Sequence, residues 1–135
     1  MRAVYRFEEI DESLELVPLA ARRALDRART KLSLDGWRRL PLDRRAAIAE
    51  AGAADEVDVE GVRRLLADSD ATATEGRPEP DAGAVPALLS SAAPTLTSAR
   101  WAALRALDRW ALESLAARGR TDALAAALAE LGHGT

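Results

Sequence analysis

The sequence predicts an all-α protein: a single domain of two related helical hairpins joined by a flexible linker. Three observations predict it. Alanine, leucine and arginine dominate, while aromatic residues are only 4% and β-branched residues are sparse, a bias that favours helix almost throughout. Apolar residues recur at i, i+3 and i+4 along most of the chain. One helical stretch is also written twice, as "KLSLDGWRRLPLDRRAAI" at 31–48 and "TLTSARWAALRALDRWAL" at 95–112. Leu32, Trp37, Leu40, Arg45, Ala47 and Ile48 then fall opposite Leu96, Trp101, Leu104, Arg109, Ala111 and Leu112 without a gap. An amphipathic hairpin cannot bury its apolar face alone, so two copies sharing one core are expected. At 135 residues the chain suits one domain with a real core.

A first helix starts near Pro18, a residue suited to a first helical position, with Val17, Ala21, Ala24, Leu25, Ala28 and Leu32 apolar at helical spacing. Repeat copy one covers about 31–51. Ser33 caps a short helix bearing Leu34, Trp37 and Leu40, Pro41 breaks it, and Asp43 favours the first turn of a second helix. Gly52 is the expected stop, and Asp58 caps a further helix through Val59, Val62, Leu65 and Leu66. Residues 68–83, "DSDATATEGRPEPDAG", carry no apolar period and read as a mobile linker. "AVPALLSSAAP" holds one helical turn. Repeat copy two covers about 95–115, capped by Thr97 or Ser98 and stopped at Gly119. Arg105 stands where copy one has Pro41, so the two helices there are free to fuse. Thr121 caps a last helix closed by Gly132. "RAVYRF" at 2–7 is the one strand-like run.

Composition removes several functions. There is no cysteine, which excludes disulfides, thiol catalysis, iron–sulfur ligation and most structural zinc. No apolar run is long enough to span a membrane, and "MRAVYRFEEIDESLEL" lacks a signal-peptide core, so the reading is a soluble cytoplasmic protein. Net charge is −3, which disfavours wholesale nucleic-acid binding but leaves room for a local basic face. That face lies between Arg22 and Arg45. Nine basic residues there meet only Asp26, Asp35 and Asp43, a local net of +6. Arg22, Arg23, Arg38 and Arg39 are the candidate partner-binding residues, with Arg45 set aside as structural because Arg109 is its repeat mate. Trp110 joins them, because copy one has Ala46 at its place and the indole has no equivalent.

The remaining chemistry is thin. Glu8, Glu9, Asp11, Glu12 and Glu15 would need to converge to hold a metal, and the sequence reads better with them near a helix N-terminus. His133, the only histidine, sits in a terminal "GHGT" that lacks the fixed partner a general base needs. "GRG" at 118–120 and "GHG" at 132–134 lack the strand–loop–helix setting of a phosphate loop. No catalytic, cofactor or metal residue is expected.

"YRFEEI", then "LVPLAARRALD", then "KLSLDGWRRLPLDRRAAI" and a second tryptophan-bearing copy resemble the nitrate reductase-associated protein family, small proteins found with nitrate-assimilation genes. The resemblance covers residues 5–51 best and 94–132 more loosely, in the order Phe7, Pro18, Leu25, Lys31-Leu32, Trp37, Arg45. It implies a non-enzymatic accessory or interaction protein of nitrate assimilation, with another protein, nitrate reductase itself foremost, as partner. Members carry cysteines near the positions of Glu15 or Leu16, Ala28 and Ala51 or Gly52. This chain has none and cannot share a redox or metal role for them. Two other readings stand beside this one. The short helices at Leu34–Leu40 and Leu42–Ala51 could mimic a DNA-binding helix-turn-helix, and an inter-helix pocket could serve an enzyme or carrier.

Overall fold

The computed structural model describes residues 3–133. Among them the chain forms eight α-helices and one two-stranded ribbon. It divides into two compact units. Ala3, Val4 and Glu8–Pro78 make the first, and Tyr5–Phe7 with residues 79–133 make the second.

In the first unit α1 runs Leu19–Arg27 behind Pro18, whose φ of −65° suits the position. Glu8 supplies the missing cap, its Oε1 accepting the Leu19 N–H at 2.7 Å. This helix stops before Leu32, because Arg29 turns into the left-handed region at φ 56°. Strand β1, Thr30–Lys31, follows and pairs antiparallel with β2, Thr72–Ala73. Helix α2, Leu34–Arg39, is capped as its sequence predicts, with Ser33 Oγ accepting the Gly36 N–H at 3.0 Å. Pro41 then starts α3, Leu42–Ala53, and Asp58 caps α4, Val59–Leu65.

The core of this unit gathers Ala21, Ala24, Leu25, Trp37, Ile48, Ala49, Val62 and Leu66. From the sequence, the second hairpin is the expected cover of the first. The cover observed within this unit is α1 together with α4, and α3 packs most extensively against α1. Small residues permit that close approach: Ala20, Ala21 and Ala24 on α1 face Ala49, Gly52 and Ala53 on α3, all buried. Gly52 is therefore no helix stop. It lies inside α3, where a Cβ would come 1.6 Å from the Ala20 carbonyl oxygen, and the helix continues through Ala53 before ending.

In the second unit α5 is the single turn Ala87–Ser90. Helix α6, Ser98–Ala103, is capped by Thr97, α7 runs Ala106–Ala117 and α8 runs Thr121–Glu130. Thr121 is the first residue of α8, and Arg120 holds the cap position. Helices α6 and α7 do not fuse. Arg105 adopts the extended geometry of a cap, φ −65° and ψ 156°, and its N–H donates to the Asp108 carboxylate at 3.2 Å, so a carboxylate does at this break what Pro41 does at the other. Gly119 and Gly132 close α7 and α8 with φ of 67° and 82°, values that only glycine adopts freely.

The boundaries of α2 and α6, and of α3 and α7, lie sixty-four residues apart, as Trp37 and Trp101 do. Both indoles are fully buried. Each donates its Nε1–H to a backbone carbonyl at 2.7 Å, Trp37 to Leu14 and Trp101 to Asp81. The stretch 68–83 carries specific bonds. Beyond the β1–β2 pair, the Thr74 N–H donates to the Arg29 carbonyl at 2.9 Å, and the Arg77 N–H donates to the Asp26 carboxylate at 3.1 and 3.2 Å. The strand-like run at 2–7 has no obvious partner in the sequence, and among residues 3–7 it forms no strand; Arg6–Glu8 is a 3-10 turn. Arg2, and Gly134 of the tail motif, lie outside the described residues.

Candidate functional site

The arginine-rich stretch sorts by what each guanidinium touches. Arg22, Arg38 and Arg39 stand exposed. The Arg38 Nε–H donates to the Glu15 carbonyl at 3.1 Å, and Arg39 pairs with Asp70. Large apolar side chains share this surface: Leu16, next to the carbonyl that Arg38 binds, is 49% exposed, and Leu34, one turn before Arg38 on α2, is 40% exposed. Leu42, at the start of α3, is exposed as well.

Arg23 does not belong to that face. It is fully buried, because α1 turns it towards the end of α3. There Nη1 donates to the Gly52 carbonyl at 2.9 Å and to the Ala54 carbonyl at 2.5 Å, and Nη2 donates to Asp55 at 2.8 Å. The guanidinium thus satisfies the orphan carbonyls that every helix C-terminus leaves and sits at its negative pole. Arg45 and Arg109 do related work. Arg45 Nη1 donates to the Ser13 and Leu14 carbonyls at 2.8 and 2.9 Å. Arg109 Nη1 donates to the Leu104 carbonyl at 2.6 Å and to Ala102 at 3.2 Å. Leu14, whose carbonyl accepts from both Trp37 and Arg45, is held at φ 50°, a conformation uncommon for leucine.

Trp110 is likewise a core residue, 5% exposed. Helix α7 lies between α5 and α8, so its apolar stripe is covered broadly enough to include the indole, and Trp110 offers no contact surface. In the helix-turn-helix comparison α3 takes the place of the recognition helix; it buries Ile48, Ala49, Gly52 and Ala53, and Arg44 and Arg45 donate to backbone carbonyls. Duplex docking needs an exposed basic recognition helix.

Sequence reasoning missed a buried polar cluster in the second unit. The Tyr5 hydroxyl donates to Asp108 Oδ1 at 2.6 Å. Arg105 Nη2 donates to the same oxygen at 2.9 Å, and its guanidinium lies 5.7 Å from the Tyr5 ring centroid. The Phe7 ring stacks on Tyr5 at 5.3 Å, and Glu130 accepts the N–H groups of Arg6 and Phe7 at 3.0 and 2.9 Å. The signal available was an Arg-x-x-Asp spacing, too common to single out. Burial and the Asp108 carboxylate push the Tyr5 phenol well above its ordinary 10.0. The Asp108 hydrogen bonds raise Arg105 as well. Tyr5→Phe is expected to lower stability by about 1–3 kcal/mol, the worth of a hydrogen bond to a charged group. The folded-state value being the higher one, this contribution is complete below pH 10 and declines as alkali ionises the unfolded chain. Urea titrations at pH 7 and at higher pH check both points: the gap between parent and variant shrinks in alkali.

The N-terminal acids play local parts. Glu8 caps α1, and Asp11 accepts both the N–H and the hydroxyl of Ser13, bonds that hold its carboxyl below the usual range. Among the described residues no three metal-ligating side chains converge. One inter-helix recess, of about 320 Å³, lies in the second unit between the loop at 92–95 and α8, lined by Leu124, Leu128 and His133. The His133 backbone is fixed rather than frayed, donating to Leu128 at 2.8 Å and accepting from the Thr95 hydroxyl at 2.9 Å.

A family model described as "Conserved nitrate reductase-associated protein" matches residues 4–131, nearly the whole chain. The chain belongs to that family. No curated protein and no solved structure matches it. The family's name links the chain to nitrate reductase, and among the described residues no helix is long and apolar enough to cross a membrane.

Proposed function

We propose that this nitrate reductase-associated protein is a non-enzymatic accessory factor that works by docking on an acidic, partly apolar protein surface, with nitrate reductase the first partner to test. The observation that carries the reading is the exposure of Arg22, Arg38 and Arg39 in the first unit, with two exposed leucines near Arg38: Leu16, beside the Glu15 carbonyl it binds, and Leu34 on its own helix. Arginines steer the encounter and suit carboxylates. Apolar side chains desolvated at the centre of an interface supply the affinity. Neither Arg23 nor Trp110 has a part in it.

The test is a three-residue charge reversal, Arg22→Glu, Arg38→Glu and Arg39→Glu, that leaves Arg23 in place. Binding to purified nitrate reductase, followed by surface plasmon resonance, should fall at least a hundredfold. Far-ultraviolet circular dichroism and the melting curve should change little, because exposed substitutions shift stability by only about 0.5 kcal/mol each. An unchanged affinity in the variant would remove this face from the interface. A parent protein that does not bind would remove the partner.

A further inference from the structure

We propose that the first unit carries a second, separate site: a recess at the end of α1 that binds a small oxyanion of the phosphate type. The recess holds about 330 Å³ and is lined by Asp26, Arg27, Arg29, Gly76, Arg77 and Pro78. Its lining is charged except for one glycine and one proline, so it suits a polar ligand, and its volume falls within the range of small-molecule sites.

The recess is built by specific contacts. Arg29 is held at φ 56° while its carbonyl accepts the Thr74 N–H. Gly76 lies against the chain at the end of α1, where a Cβ would come 2.4 Å from the Asp26 carbonyl oxygen and 3.5 Å from the Arg29 Cγ. Only a residue without a side chain lets the 74–78 segment pass there. Asp26 supplies the clasp through its bonds to the Arg77 N–H, so its carboxylate is engaged with the backbone.

Charge then decides the ligand. Arg27 and Arg29 face the single Asp26 carboxylate, and Arg77, which has a partner of its own, adds a third guanidinium, so the lining is net positive. The C-terminus of α1 offsets about half a charge of that, which still leaves a net positive recess for an oxyanion. Arg22, Arg23, Arg38, Arg39, Arg44 and Arg45 each have a bonded partner. Arg27 and Arg29 have none among the described residues, and both line this recess. An arginine fork fits the oxygens of a tetrahedral oxyanion in pairs.

The experiment titrates the full-length protein with inorganic phosphate and pyrophosphate by isothermal calorimetry, with nitrate and chloride as monoanion controls at matched ionic strength. Saturable one-to-one binding of phosphate or pyrophosphate is expected. It should weaken at least tenfold in the Arg27→Gln, Arg29→Gln double variant and stay unchanged in Arg64→Gln, an exposed arginine away from the recess. Amide shifts of the parent protein provide a second readout that needs no variant: phosphate should move the signals of Arg29, Gly76 and Arg77. Binding reduced equally by Arg64→Gln, shifts spread over the surface, a preference for nitrate, or no saturation would each overturn the assignment. None of these readings depends on nitrate reductase, so the site stands or falls apart from the docking face.

Discussion

Gly52→Ala will destabilise the protein by about 3 kcal/mol or more, near the upper end of what overpacking costs. The new Cβ would sit 1.6 Å from the Ala20 carbonyl oxygen and 2.5 Å from its carbon. Those atoms are backbone, so no rotamer change relieves the clash; α1 and α3 must separate instead. Separation strips contacts from Ala20, Ala24, Ala49 and Ile48 together, because the helices meet through small side chains with no slack to repack. Gly61→Ala is the fitting control. Its Cβ would meet Asp58 Oδ2 at 2.5 Å, the end of a side chain that can rotate, at the cost of a helix cap worth about 1 kcal/mol. Urea denaturation of the two variants should rank them clearly. A loss below 1 kcal/mol for Gly52→Ala would show that the two helices do not meet as closely as described.

The contrast between those glycines shows where the sequence is legible. Helix existence, the caps at Ser33, Asp58 and Thr97 and the burial of Trp37 and Trp101 follow from local rules: a side chain of the right type three residues before a free N–H, or an apolar period. Gly52 obeys a local rule equally well, since glycine often ends a helix. Only the approach of α1 reveals that its missing side chain serves packing. Arg105 repeats the lesson. Nothing in its own propensity breaks a helix, but Asp108 three residues on caps the new start. The exposed arginines Arg22, Arg38 and Arg39 could be found from charge density alone. Arg23 and Trp110 could not be told apart from surface residues, because their burial depends on other helices: the end of α3 for Arg23, and α5 and α8 packed on α7 for Trp110. The Tyr5–Asp108 bond joins residues 103 positions apart, a pairing that no window of sequence contains.

Arg23 yields the second large effect. Arg23→Met should cost about 3 kcal/mol, while Arg22→Met, one position earlier and exposed, should cost almost nothing. Methionine fills much the same volume, so packing changes little. What is lost is the donor to the Gly52, Ala54 and Asp55 carbonyls, and a buried acceptor left without a partner costs about 1–3 kcal/mol. Replacing a buried charge by an apolar residue can be neutral when both sides of the interaction are removed. Here one side is backbone and stays. The same reasoning separates two charge-reversed proteins. A variant carrying Glu at 22, 38 and 39 should melt close to the parent. Adding Arg23→Glu should unfold it, because a carboxylate would then face three carbonyl oxygens at the negative end of α3. Gly52 links this prediction to the first. Its carbonyl receives Arg23 and its Cα receives Ala20, so Gly52→Ala pushes away the helix that carries the arginine. The double variant Gly52→Ala, Arg23→Met should therefore lose less than the sum of the two single losses. Strict additivity in denaturant titrations would show that the guanidinium and the glycine stabilise the α1–α3 contact independently.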